Sequence, residues 1–106
     1  MSESQFLQSV EEVLARTEAA IDGAQIGADC SMSGLVLTVE LEDGARVVIN
    51  AQTPMRQLWF ASRLGAMHFS FDGAHWRDLR SGAEYFETLR AVLAQLTGTD
   101  VVLGQA

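Results

Sequence analysis

The sequence predicts an α+β fold: a two-layer α/β sandwich with N- and C-terminal helices packed on one face of a mostly antiparallel sheet of five to six strands. Apolar residues recur at helical spacing near the two ends of the chain. Between them, short runs alternate between apolar and polar residues, as in half-buried strands. Short turn signals separate these runs, and short hairpin turns imply antiparallel pairing. We expect residues 1–106 to form a single domain.

The first helix is predicted to end at Gly23, a residue suited to a helix C-terminus. Ser2 or Ser4 is suited to cap its start, and Ser2 with Gln5 has the spacing of a capping box. Glu12 lies four residues before Arg16, so we expect these side chains to form an ion pair. The apolar face of this helix is predicted to consist of Phe6, Val10, Val13, Leu14, Thr17 and Ile21.

Turn signals divide the middle of the chain into strands. Asp43-Gly44 is typical of a two-residue hairpin turn, and Asp72-Gly73 is a second hairpin signal. Pro54 has no backbone donor and a fixed φ, so one strand should end before it and another begin after it. The predicted strands cover residues 29–33, 35–42, 46–50, 57–62 and 67–71 and a short stretch around Trp76, which we expect in the core.

The second helix is predicted to open at Ser81-Gly82-Ala83-Glu84, which has the capping-box pattern, and to stop at Thr97-Gly98. The tail that follows, residues 99–106, is too apolar for a free tail, and we expect it to pack against the helices. The apolar face of this helix is predicted to consist of Tyr85, Phe86, Leu89, Val92, Leu93 and Leu96.

The net charge is −7, and the negative charge is concentrated in the first part of the chain. Residues 1–45 contain nine acids and one arginine, whereas residues 46–106 contain five acids and six arginines; lysine is absent. Phosphate binding requires clustered cations, so we expect no nucleic-acid partner. A basic protein surface or a cation is favoured instead.

The single cysteine, Cys30, allows no internal disulfide and no cysteine cage for a metal, which fits a reducing compartment. No apolar run approaches the roughly 20 residues that a membrane span requires. Residues 1–8 lack the basic and apolar character of a targeting peptide. We therefore expect a cytoplasmic protein, complete as written, without a membrane partner.

Three acids of the first helix form a stripe beside its apolar face. Glu11, Glu18 and Asp22 fall within roughly 40° of one another around the helix axis. Such a stripe is most often a solvated helix face. The alternative is a weak site for a cation or a basic partner, which would relieve the repulsion of about 0.2–0.5 kcal/mol between Glu18 and Asp22.

Uncharged amides and a tryptophan share one parity on either side of Pro54. Asn50, Gln52, Gln57 and Trp59 are predicted to face away from the core. The opposite parity would bury Trp59 but expose its apolar neighbours at positions 58 and 60. An exposed tryptophan surrounded by amides is typical of a binding hot spot.

The residues do not predict an enzyme. A general base would have to be His68, oriented by Asp78, and no nucleophile elbow or glycine-rich phosphate loop accompanies them. Cys30 has no neighbouring cation to activate it, so we interpret it as a packed strand residue, with a sulfur-acceptor role as the alternative.

Several segments resemble the frataxin family. They are residues 35–39, 48–61 and 65–69, followed by Trp76, Asp78 and residues 80–82. The most specific part is the asparagine at position 50 with the Gln-x-Pro and Gln-x-Trp motifs at 52–54 and 57–59. The order helix, strands, helix is also the order in that family.

The resemblance implies a regulator of iron–sulfur cluster assembly that binds the cysteine desulfurase and its scaffold protein. It also implies weak, exposed binding of Fe²⁺ or Fe³⁺ by carboxylates; we expect a monomer. The alternative is an iron-delivery or iron-storage protein. The family normally carries further acids after the first helix, whereas residues 23–28 here are uncharged, which argues against multiple iron binding. The implied metal-binding residues, the acidic ridge, are Glu11, Glu18, Asp22 and Asp29. The implied partner-binding residues, the amide face, are Asn50, Gln52, Gln57, Trp59 and His68.

Overall fold

Six strands form one antiparallel sheet in which every strand lies beside its neighbours in the chain. A computed structural model describes residues 1–104, so residues 105 and 106 of the predicted tail lie outside the described part. The α+β prediction is confirmed, with six strands. The elements are α1 (Glu3–Ala24), β1 (Asp29–Ser33), β2 (Val36–Glu40), β3 (Arg46–Gln52), β4 (Gln57–Ser62), β5 (Gly65–Phe71), β6 (Trp76–Asp78) and α2 (Tyr85–Thr97).

The core lies between the two helices and one face of the sheet. Tyr85 of α2 makes edge-to-face contacts with Phe69 and Phe60, with ring centroids 5.4 and 6.2 Å apart. Its hydroxyl lies 2.8 Å from that of Thr17 on α1, so this buried hydrogen bond joins the two helices. Trp76 is only 4% exposed, which confirms its predicted place in the core.

The start of α1 was predicted correctly, but its end was not. Ser2 and Gln5 form the capping box. The left-handed residue at the C-terminus is Gln25, with φ 52°, instead of Gly23. Gly23 stays helical and meets the tail: a Cβ at this position would lie 2.7 Å from Cα of Gly104. The N–H of Gly104 donates to the carbonyl of Ala20 at 2.8 Å, so the described tail packs on α1 as predicted.

The start of α2 lies three residues after the predicted one. Glu84 is the N-cap, and its carboxylate accepts hydrogen bonds from the N–H groups of Phe86 and Glu87. Ser81 does not serve this purpose: its Oγ accepts a hydrogen bond from the N–H of Ala83 at 3.2 Å, and its own N–H donates to Oδ2 of Asp78 at 3.0 Å. The capping-box prediction for Ser81 and Glu84 is therefore wrong, whereas Gly98 ends the helix as predicted.

Two further local predictions differ from the structure. The hairpin between β2 and β3 closes on Leu41 and Ala45, so its loop has three residues instead of two, with Gly44 at φ 88°. The guanidinium of Arg16 lies over the ring of Phe86, 4.8 Å from its centroid, and makes no ion pair with Glu12. The ion pairs among residues 1–104 are Glu40–Arg46, Asp72–Arg77 and Arg90–Asp100.

Candidate functional site

The side of the sheet opposite the helices carries the amide face. The register pairs Asn50 with Trp59 and Gln52 with Gln57 across β3 and β4. Directly paired residues point to the same side of a sheet, so these four side chains lie together. Leu58 and Phe60 are fully buried on the other side, which confirms the predicted parity.

The indole of Trp59 is held between two neighbours. Its Nε1–H donates to Oε1 of Gln57 at 2.8 Å. Its ring stacks on that of His68, which is paired with it on β5, with centroids 4.4 Å apart and an interplanar angle of 10°. Within residues 1–104 the side chains of Asn50 and Gln52 form no hydrogen bond, so their amides face solvent uncommitted.

Two exposed apolar residues continue the line of Asn50, Trp59 and His68 across the sheet. Val36 is paired with Asn50. The N–H of Leu79 donates to the carbonyl of His68 at 2.9 Å, which extends the pairing of β5 with β6 by one residue. Val36 is 37% exposed and Leu79 54% exposed. Neither was predicted as part of the site, although the inward parity of Trp76 and Asp78 implies that Leu79 points outward.

The neighbouring line of paired residues on this side carries no charge. Charged groups appear one line further on, where Glu40 and Arg46 form an ion pair at 3.5 Å and Asp29 lies opposite Glu40. The amide face is therefore bordered by an uncharged line on one side, whereas on its other side Ser70 is paired with the exposed Arg77. The uncharged line consists of Ser31, Thr38, Val48, Ala61 and Ala66.

Three of the four predicted acidic-ridge residues lie around one shallow groove between α1 and β1. Glu18, Asp22 and Asp29 line this groove together with Cys30. Glu11, about two turns before Glu18 on α1, is exposed and does not line it. The structure thus brings three of these carboxylates to the same groove and leaves the fourth apart.

The electrostatic effect of the groove is seen at Cys30. Burial raises the pKa of its thiol, and the negative charges of Glu18, Asp22 and Asp29 raise it further. A thiol of this kind is poorly nucleophilic, which agrees with the interpretation of Cys30 as a packed strand residue. The same charges make the groove attractive to cations.

The acidic ridge does not form an enclosed metal centre. Carboxylate oxygens are suitable ligands for iron, but no three His, Cys, Asp or Glu side chains among residues 1–104 are arranged to hold a metal ion. The donors present fit loose, exposed cation binding and do not fit a coordination cage.

The hypothetical acid–base pair is separated by the sheet. Asp78 is 7% exposed and lies on the core side, paired with Phe69, whereas His68 lies on the amide face.

Neither helix in the described part of the chain is long and apolar enough to cross a membrane.

Comparison with known proteins identifies the family. Residues 1–99 match the frataxin-like domain family. The chain belongs to the frataxin family. The frataxin resemblance of its central strands is thereby confirmed over nearly the whole sequence.

Two relatives from different bacteria carry the same name. The iron–sulfur cluster assembly protein CyaY of Paraburkholderia phymatum is 39% identical over 101 residues, covering 95% of this chain and 96% of the relative. The protein of the same name from Cupriavidus pinatubonensis is 41% identical over 108 residues, covering 98% and 97%.

Solved frataxin structures share the fold. Frataxin from Psychromonas ingrahamii superposes with a TM-score of 0.89 at 28% identity, covering 96% of this chain and 97% of the other. A trimeric yeast frataxin from Saccharomyces cerevisiae, described as complexed with ferrous iron, superposes with a TM-score of 0.69 at 24% identity, covering 93% and 88%. At that identity the yeast protein shows likeness of fold alone.

Proposed function

We propose that this frataxin acts in iron–sulfur cluster assembly as a non-enzymatic regulator that docks onto the cysteine desulfurase and its scaffold protein. The observation that carries the proposal is the presentation of Trp59. Its indole is fixed by Gln57 and His68 on the side of the sheet that no helix covers. The name shared by the curated relatives supports the same process.

Docking in this proposal uses a short-range contact and a long-range attraction. Trp59 and the amides of Asn50 and Gln52 form the contact. A hot-spot tryptophan of this kind contributes about 1–2 kcal/mol to binding. The acidic ridge attracts a basic surface of the partner, and because its charges are few and exposed, salt should weaken the complex only moderately.

A second candidate function is iron binding or iron delivery at the acidic ridge. The convergence of Glu18, Asp22 and Asp29 on one groove favours it. The open geometry limits it to weak binding, because exposed carboxylates cannot enclose an ion. In this case the amide face would not be needed for the effect of the protein on cluster assembly.

The two functions are separated by measuring sulfide production by the desulfurase with its scaffold, with and without this protein and with and without ferrous iron. Docking predicts an effect that persists without iron and is lost in Trp59→Ala. Iron delivery predicts an effect that requires iron and is lost in Glu18→Gln with Asp22→Asn. Glu12→Gln, an exposed acid of the same helix outside the groove, is the matched control for removal of charge. No effect of the wild-type protein in any condition would contradict both.

A further inference from the structure

The partner-binding surface extends well beyond Trp59. We propose that it is a line of five residues that runs from β2 to the end of β6, here called the cross-strand row, and that Leu79 at its β6 end contacts the partner directly. This inference rests on the proposed function and specifies the chemistry of the docked surface. The cross-strand row consists of Val36, Asn50, Trp59, His68 and Leu79.

The pairing of the strands defines the row. Each member lies directly opposite the next, so all five side chains point away from the helices. Adjacent strands are about 4.8 Å apart, so four steps give a row about 19 Å long. Ser33 of β1 is paired with Val36 and continues the line towards the edge of the sheet. The β6 end is the apolar Leu79, and the centre is the stacked pair of Trp59 and His68.

Leu79 has no evident role in the core. Its neighbour Asp78 points inward and is 7% exposed, whereas Leu79 is 54% exposed on the outer side. On β2 Val36 is 37% exposed. Apolar groups at Val36 and Leu79, on either side of an aromatic centre, favour a partner surface that is itself apolar over this length.

The amides indicate what lies between the apolar contacts. Asn50 within the row and Gln52 beside it have uncommitted side chains, and each amide offers both donors and an acceptor. The matching chemical group is a peptide unit, which also offers one donor and one acceptor. The row therefore fits a segment of the partner chain that exposes backbone groups as well as apolar side chains.

The charges fix the orientation of the partner. On one side of the row, the neighbouring line of paired residues from β1 to β5 is uncharged; it runs from Ser31 to Ala66. On the other side of the row Arg77 is engaged by Asp72 at 3.4 Å and by the carbonyl of Gly82 at 3.1 Å. Among the described residues, negative charge without an ion-pair partner lies at the β1 edge of the sheet, at the acidic ridge, which includes Asp29. The partner should place an uncharged segment over the row and its basic side chains beyond β1.

The test measures the affinity of full-length variants for the desulfurase–scaffold complex at about 50 mM and about 500 mM salt. Leu79→Ser should bind about five- to tenfold more weakly at both salt concentrations, because an apolar contact is lost. Leu79→Met, which keeps the apolar area, should bind as wild type. Val102→Ser is the matched control, since Val102 is 78% exposed in the tail and lies outside the sheet. Equal melting temperatures verify folding.

The outcomes separate this inference from the proposed function. If Trp59→Ala weakens binding but Leu79→Ser does not, the proposed role of the cross-strand row is wrong and the docking function stands. If neither variant weakens binding, both are wrong. A loss in Leu79→Ser that disappears at high salt, or that occurs equally in Val102→Ser, also overturns the row.

Discussion

The indole ring of Trp59 lies parallel to the imidazole ring of His68, with centroids 4.4 Å apart and an angle of 10° between the planes. At the edge of the ring, Oε1 of Gln57 accepts the hydrogen bond of the indole N–H. The half-buried aromatic group is therefore held in one orientation before any partner arrives. Pre-organisation of this kind reduces the entropy that is lost on binding.

The first prediction concerns the stack. His68→Ala should increase the motion of the Trp59 indole. Partner binding should weaken about threefold, because the Trp59 side chain must then be ordered on docking. His68→Phe keeps a ring at this position and should restore both properties. The measurement is the heteronuclear NOE of the Trp59 Nε1–H group, together with affinity. An unchanged NOE in His68→Ala would show that the stack does not hold the indole.

The second prediction concerns the turn that leads into α2. Burial raises the pKa of the Asp78 carboxyl. The hydrogen bonds from the hydroxyl and N–H of Ser81 lower this pKa by a larger amount, so the net shift is downward. A carboxyl with a lower pKa in the folded state stabilises the fold above its unfolded pKa of about 3.9 and loses this contribution as pH falls through the folded value.

As the pH is lowered below about 4, the free energy of unfolding should therefore decrease. The decrease should be smaller in Asp78→Asn, which has no carboxyl to protonate. Ser81→Ala removes one donor, so it should destabilise the protein at pH 7 more than in acid. Urea unfolding at pH 7 and at several acidic pH values measures both effects. A fall of equal size in wild type and Asp78→Asn would contradict the assignment to Asp78.

The third prediction concerns the acidic groove. Because burial and then the charges of Glu18, Asp22 and Asp29 raise the pKa of Cys30, its thiol should react slowly with iodoacetamide near pH 8. Glu18→Gln and Asp22→Asn each remove one charge and should increase the rate. Glu11→Gln is the control, since Glu11 does not line the groove. Wild-type rates in the first two variants would show that these carboxylates do not act on Cys30.

The fourth prediction concerns the contact between Gly23 and Gly104. Alanine normally stabilises a helix interior by about 1 kcal/mol relative to glycine. Gly23→Ala should instead destabilise the full-length protein, because the new Cβ displaces the tail and its bond to Ala20. In a chain that ends at residue 103 the same substitution should stabilise. The free energy of unfolding of the four proteins measures this difference. Stabilisation by alanine in both lengths would contradict the contact.

Residue patterns predicted the sheet well, because period-two alternation on both sides of Pro54 leaves one arrangement that buries Leu58 and Phe60. That arrangement also placed Asn50 and Trp59 on the outer side correctly. The pairing of Trp59 with His68 was not predicted, since register between β4 and β5 depends on the turn that joins them. Register also brings Leu79 beside His68.

Errors arose where a side chain had a better partner elsewhere. Ser81 fits a capping box in sequence, but its Oγ accepts from the N–H of Ala83 and its own N–H donates to Asp78. Arg16 is spaced to pair with Glu12, yet it stacks on Phe86 from the other helix. For Arg16, local spacing carries no information on a ring that comes from a distant part of the chain. Glu11, which the resemblance implies as a fourth residue of the acidic ridge, shares a helix stripe with Glu18 but does not line the groove.

In the proposed function, Trp59 on the amide face docks onto the desulfurase–scaffold complex. The most direct measurement is the affinity of that complex for wild type and for Trp59→Ala without iron, with Trp59→Phe as the variant that keeps an aromatic ring. We predict binding weaker by about five- to thirtyfold in Trp59→Ala and an intermediate loss in Trp59→Phe. Equal affinity of Trp59→Ala and wild type, with both proteins folded, would contradict the account.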